Sequence, residues 1–136
     1  MSAANRGKWA EGRVRAYLKT LELANCAFHR FPDAHAGSLA TTPADFLVCR
    51  QGKLTLLEVK EVQHDFRLPY KNFALDQMAR MRMWKAAGAQ ALVAVCFMPT
   101  QTWRILDVEY FVQRDGASWD MRDTLTVPLN TLETLL

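Results

Sequence analysis

Apolar positions in the first part of the chain recur at helical spacing. Ala10, Val14, Tyr17, Leu18 and Leu21 form one stripe with arginines and lysines between them, which predicts an amphipathic helix over residues 5–23. A short apolar segment, residues 26–31, then leads into a stretch rich in Pro, Ala, Gly, Ser and Thr, residues 32–43, expected to be a loop. Two strand-like runs follow, residues 45–50 and 54–62, joined by Gln51-Gly52-Lys53 as a natural hairpin connection. A polar loop over residues 63–72 precedes a second helix at residues 73–87, which Gly88 is placed to end. Residues 91–97 are an almost unbroken apolar run, the mark of a strand buried on both faces, and residues 102–108 predict one more strand. No element is assigned to the C-terminal third, and no repeat or linker interrupts the chain. The order helix, hairpin, helix, strand, strand is that of an α/β fold with a mixed central sheet flanked by helices. Residues 1–136 are expected to make one domain.

Composition narrows this only modestly. Half the residues are hydrophobic, and a net charge of +3 does not by itself announce an acidic partner. Cys26, Cys49 and Cys96 are widely spaced in apolar surroundings, so buried free thiols in a reducing compartment are expected rather than disulfides. No CxxC or His-x-x-x-His spacing suggests zinc. The first residues lack the apolar core of a secretory signal, and no run approaches the roughly 18 apolar residues a membrane span needs. A cytoplasmic protein with no membrane partner is the expectation. Trp9, Trp84, Trp103 and Trp119, with Met78, Met81 and Met83, read as core or interface packing.

The hairpin carries the candidate chemistry. Strand alternation puts Glu58 and Lys60 on one face, with Leu57 and Val59 on the other. A cross-face salt bridge at the end of an edge strand is the ordinary meaning of Glu-x-Lys. Asp45 changes the balance, because it heads the adjoining antiparallel strand and can bring its carboxylate beside that of Glu58. Two carboxylates forced together repel unless a cation lies between them. Mg²⁺ takes oxygen ligands and keeps several waters, so Asp45, Glu58 and a backbone carbonyl, that of Val59, form a reasonable ligand set. Mn²⁺ is a possible substitute. Lys60 can then hold the attacking water and neutralise charge developing on a phosphate. Glu11 lies on the apolar stripe of the first helix and is expected to face inward, or else to pair with Arg15. Gln77 shares a stripe with Met81 and Trp84, where it either caps a backbone group or orients a water or phosphate above Glu58.

These residues resemble the PD-(D/E)xK nucleases. Glu58-Val59-Lys60-Glu61, Leu68-Pro69, Asn72-Phe73 and Gln77, with Thr41-Thr42 ahead of Asp45, look like the pattern of the RecU-type Holliday junction resolvases. The compact length also resembles archaeal-type and phage resolvases. The resemblance implies a restriction-endonuclease-like core in a homodimeric, Mg²⁺-dependent enzyme that nicks two opposing strands of a four-way DNA junction. Asp45 and Glu58 would bind metal, Lys60 would be catalytic, and Gln77 and Glu11 would support the site. Two departures stand out. The long basic stalk of the RecU type is replaced by residues 31–40, and Pro43-Ala44 separates the threonines from Asp45.

If DNA is the partner, phosphate contacts dominate affinity. Arg6, Lys8, Arg13 and Arg15 cluster near the N-terminus, and Arg67, Lys71, Arg80, Arg82 and Lys85 follow the hairpin, while acidic residues gather toward residues 107–123. A basic face around the metal centre is therefore expected, joined by Thr41, Thr42 and His64. No histidine is assigned a catalytic role. The same chemistry would serve a nuclease acting on other DNA in restriction, repair or replication, and a catalytically inactive DNA-binding module is the reading from another class.

Overall fold

The computed structural model describes residues 8–32, 42–64 and 66–136. Helix α1 (Lys8–Leu21) is followed by strands β1 (Cys26–Arg30), β2 (Phe46–Arg50) and β3 (Lys53–Val62). Next come the short β4 (Arg67–Pro69), helix α2 (Gln77–Ala86), β5 (Gln90–Phe97), β6 (Thr102–Asp107), β7 (Ser118–Asp120) and a terminal turn of helix, α3 (Leu132–Leu135). A five-stranded sheet has the order β1-β2-β3-β5-β6, and β4 and β7 form a separate two-stranded sheet. Only β3 and β5 run parallel; the other neighbours are antiparallel. The mixed sheet flanked by helices agrees with the expected architecture.

Each face of the sheet has its own apolar layer. Ala10, Val14, Leu18 and Leu21 of α1 pack on Phe46, Val48, Leu57, Val59 and Ala94. Leu56, Val62, Val93, Val95 and Phe97 face the opposite way, toward Met81 of α2 and Phe111, Trp119 and Met121. β5 is therefore covered on both sides, which is why its run is unbroken. Phe46 is fully buried and meets Phe28 edge-on at a centroid distance of 6.1 Å. Phe46→Ala is expected to cost about 3–5 kcal/mol of stability in urea denaturation, through lost burial and the cavity left behind.

Turn chemistry sets two of the boundaries. Gln51 and Gly52 both have positive φ, so they alone form the two-residue hairpin loop, and Lys53 pairs with Arg50 inside the ladder. Helix α2 ends in a Schellman motif, in which Gly88 N–H donates to the Lys85 carbonyl and Ala89 N–H to that of Trp84.

Several expectations are corrected. α2 begins at Gln77 rather than at residue 73, because Phe73 is extended and packs with Phe111 and Trp119 at 5.8 and 5.5 Å. The polar loop of residues 63–72 contains β4, held by pairing with β7. Residues 26–30, left without an assignment, form an edge strand against β2. Cys49 is exposed because it points away from Phe46 and Val48, outside both apolar layers. Met83 and Trp84 lie on the outer side of α2 and are also exposed, while Met81 alone of the three methionines is fully buried.

The unassigned C-terminal residues close one edge of the molecule. Leu132 and Leu136 insert beneath α1, and Lys53 Nζ and Gln90 Nε2 donate to the Leu135 carbonyl at 2.6 and 3.1 Å. Among the described residues no helix is long and apolar enough to cross a membrane.

Candidate active site

Unequal strand lengths create the site. β3 has ten residues and β2 five, and their pairing stops at Leu57↔Phe46. From Glu58 onward, the edge of β3 that faced β2 is open. Asp45, the residue immediately before β2, fills the start of that gap. Its backbone carbonyl accepts from Phe31 N–H at 2.8 Å, and its side-chain Oδ2 accepts from Val59 N–H at 2.8 Å. The carboxylate is thus fixed from two directions. Within a strand the N–H and C=O of one residue point the same way, so the Val59 carbonyl lies along the same open edge.

Glu58 is 4% exposed, and its Oε2 lies 2.9 Å from Lys60 Nζ. The ion pair expected as the ordinary meaning of Glu-x-Lys is present, but on the central strand of the sheet, not on an edge strand. Lys60 Nζ also donates to the Asn72 carbonyl at 2.6 Å and sits 4.5 Å from the centre of the Phe73 ring. The Asn72-Phe73 pair therefore holds the lysine in place, a role that the spacing of the pair alone does not reveal.

Burial, and then repulsion from the Glu58 carboxylate, pushes the Asp45 carboxyl up to about 8. Such a site favours a proton or a metal ion over two bare negative charges. Among the described residues no group of three His, Cys, Asp or Glu side chains converges to hold an ion. The donor set that fits is therefore two carboxylates with the Val59 carbonyl and water, which suits a hard, heavily hydrated cation such as Mg²⁺. An ion bound there would displace the proton on Asp45, so its affinity is expected to climb with pH up to about 8 and level off above it. Thermal shifts produced by Mg²⁺ should accordingly be larger at about pH 9 than at about pH 6. Equal shifts at the two pH values would contradict this.

Glu11 does not pair with Arg15 at i+4. Its Oε1 lies 2.5 Å from Arg30 Nε across on β1, and its charge adds to the pressure on Asp45. Glu61 has a structural role that its place in the Glu-Val-Lys-Glu run does not reveal. It accepts from Ala10 N–H at 3.0 Å and from Gln63 Nε2 at 2.9 Å, tying the first turn of α1 to β3. Its signal was alternation, since it shares the α1-facing side of β3 with Leu57 and Val59.

An open cavity of about 500 Å³ unites these groups. Asp45, Glu58, Val59, Lys60 and Glu11 line it, and Lys8, His64 and Lys71 stand around them. Lys8, Glu11, Arg15 and Arg30 line a neighbouring depression. Other expected residues lie elsewhere. Gln77 does not line the cavity; its Oε1 accepts from Ala74 N–H at 3.3 Å, the backbone-capping alternative. Arg80 pairs with Asp76, and Arg13 stacks over Trp9 at 5.7 Å. Arg67 lies next to the site beside Asp120, at 3.8 Å. Arg82 and Lys85 do not join the basic rim, because Asp107 and Glu109 engage them. Thr42 is half-buried in the segment entering β2, whereas Arg6 and Thr41 lie outside the described residues.

Among solved structures the chain is similar to that of Archaeoglobus fulgidus Hjc, a Holliday junction resolvase from an archaeal hyperthermophile. The TM-score is 0.58, with 22% identity, covering 84% of this chain and 88% of that one. The chain has the resolvase fold. No protein-family model matches the sequence, and no curated protein matches it. At this identity the likeness speaks for the architecture alone.

Proposed function

We propose that the protein is a Mg²⁺-dependent DNA endonuclease that nicks four-way junctions, with Mn²⁺ able to replace Mg²⁺. The observation that carries this reading is the convergence of a buried carboxylate, Glu58, a half-buried one, Asp45, and a lysine at the open edge of β3, on a fold shared with a Holliday junction resolvase. Asp45, Glu58 and the Val59 carbonyl would hold the ion. When bound, it supplies Lewis-acid polarisation of the phosphodiester and a nucleophilic water. Lys60 Nζ, fixed by Asn72, neutralises charge building on the phosphate and positions the attacking water. Glu11, held by Arg30, adds negative potential beside Asp45, and Gln77 acts on the backbone alone, accepting from Ala74 N–H. Lys8, His64 and Lys71, which line the cavity, and Arg67 beside it form the phosphate-gripping rim. Paired cuts in opposing strands call for two active sites, so the working form is a homodimer.

The test uses a labelled four-way junction and a linear duplex of matching arms, each with Mg²⁺ or Ca²⁺. Symmetric nicks on the junction alone, dependent on Mg²⁺, are expected. Equal cutting of both DNAs would make the protein a general nuclease of this fold. Tight binding without cutting in any metal would make it a silent DNA-binding module.

A further inference from the structure

The small second sheet builds a feature that the cleavage centre does not use. In the β4–β7 ladder Leu68 and Trp119 turn inward, while Arg67, Pro69 and Ser118 alternate to the other side. The Ala117 carbonyl accepts from Tyr70 N–H at 2.9 Å, fastening the approach to β7 against the end of β4. Between them lies a second cavity, of about 670 Å³, walled by Pro69, Tyr70 and Ala117. The Tyr70 ring is held rigidly, edge-on to Trp119 at 4.4 Å, with its hydroxyl accepting from Arg114 N–H at 3.0 Å. His64, Arg67 and Lys71 stand at the margin. His64, Pro69 and Lys71 also line the carboxylate cavity, so the two spaces share a wall.

We propose that this cavity is a nucleotide subsite that takes an unpaired base next to the phosphate being cut, an inference that rests on the nuclease reading above. Three requirements select the occupant. Apolar walls and a fixed aromatic ring suit a flat group with a π-face. Arg67 and Lys71 at the margin suit a group attached to an anion. The wall of His64, Pro69 and Lys71 shared with the carboxylate cavity places that anion beside the phosphodiester that would be cut. A nucleotide of the cleaved strand meets all three. Its base cannot enter while stacked in a duplex, so the subsite favours DNA in which that base is unpaired or easily extruded. A branch point or a bulge supplies one.

The full-length protein is titrated in Ca²⁺ with a labelled duplex carrying a single-nucleotide bulge, and with the same duplex fully paired. The bulged DNA should bind on the order of tenfold more tightly, the size of one base–aromatic stack. Ala117→Trp, which fills the cavity from an exposed position, should reduce that preference to within about twofold. Tyr70→Ala should do the same, with melting curves confirming that each variant is folded. Equal affinity for the two duplexes, with Mg²⁺-dependent cleavage intact, would overturn the subsite and leave the nuclease reading standing. A folded Ala117→Trp protein that keeps the full preference would also overturn it. Failure to bind or cut either DNA would sink the nuclease reading and the subsite together.

Discussion

Asp45→Asn is expected to abolish metal-dependent cleavage, by roughly 10²–10³-fold or more, and to raise the melting temperature of the metal-free protein at neutral pH. Both effects come from one charge. The amide keeps the shape of the side chain, and its oxygen can still accept the Val59 N–H, so the notch beside β3 stays closed. What disappears is a carboxylate that burial and Glu58 hold at about 8, well above its ordinary 3.8. Because the folded value is the higher one, the contribution of Asp45 to stability is fully present below about pH 4. It is lost progressively as pH rises toward about 8. At neutral pH the native protein already bears that cost, and the amide removes it. A gain of at least about 3 °C is expected, corresponding to roughly 1 kcal/mol in a domain of this size. Melting curves across the pH range should show the wild type falling more steeply than the variant between these limits. Parallel curves would mean that Asp45 is not under electrostatic pressure.

Lys60→Met should lose activity on a similar scale, roughly 10²–10³-fold, and move metal-free stability the other way. The ammonium is the close counter-charge to Glu58, 2.9 Å away, in a pocket where neither side chain is well solvated. Removing it leaves a buried carboxylate beside Asp45 with less compensation, and breaking such a pair costs about 3–5 kcal/mol in well-buried cases. The two variants thus share a catalytic defect and differ in the sign of their effect on stability, which general misfolding would not produce. Mg²⁺ should stabilise Lys60→Met more than the wild type, since the ion replaces the missing positive charge. Lys60→Arg should not rescue cleavage. The lysine threads between the Asn72 carbonyl and the Phe73 ring, and a planar guanidinium cannot place a single charge there in the same way.

The legible parts of this molecule were those with long-range periodicity or paired chemistry. The stripe from Ala10 to Leu21 and the apolar run around Val93 declared α1 and β5, because each buries a whole face or two. Asp45, Glu58 and Lys60 were readable together because a hairpin register and strand alternation are enough to bring them near one another. Short elements were not readable. β4 and β7 have three residues each, too few for any period, and exist through pairing between segments about fifty residues apart. Phe73 looked helical, but its aromatic neighbours hold it extended and delay the start of α2. Gln77 showed inward polarity without showing what it would meet, which was the Ala74 backbone. Glu61 was hidden because its partner, the Ala10 N–H, lies fifty-one residues away.

The decisive measurement is the rate of nicking of one labelled four-way junction as Mg²⁺ is titrated, for the wild type and for Glu58→Gln. The wild type should be silent in EDTA and rise to saturation with Mg²⁺, and Glu58→Gln should stay silent throughout. Nicking in EDTA, or a Glu58→Gln protein that cuts as the wild type does, would contradict a metal centre built on Asp45, Glu58 and Lys60.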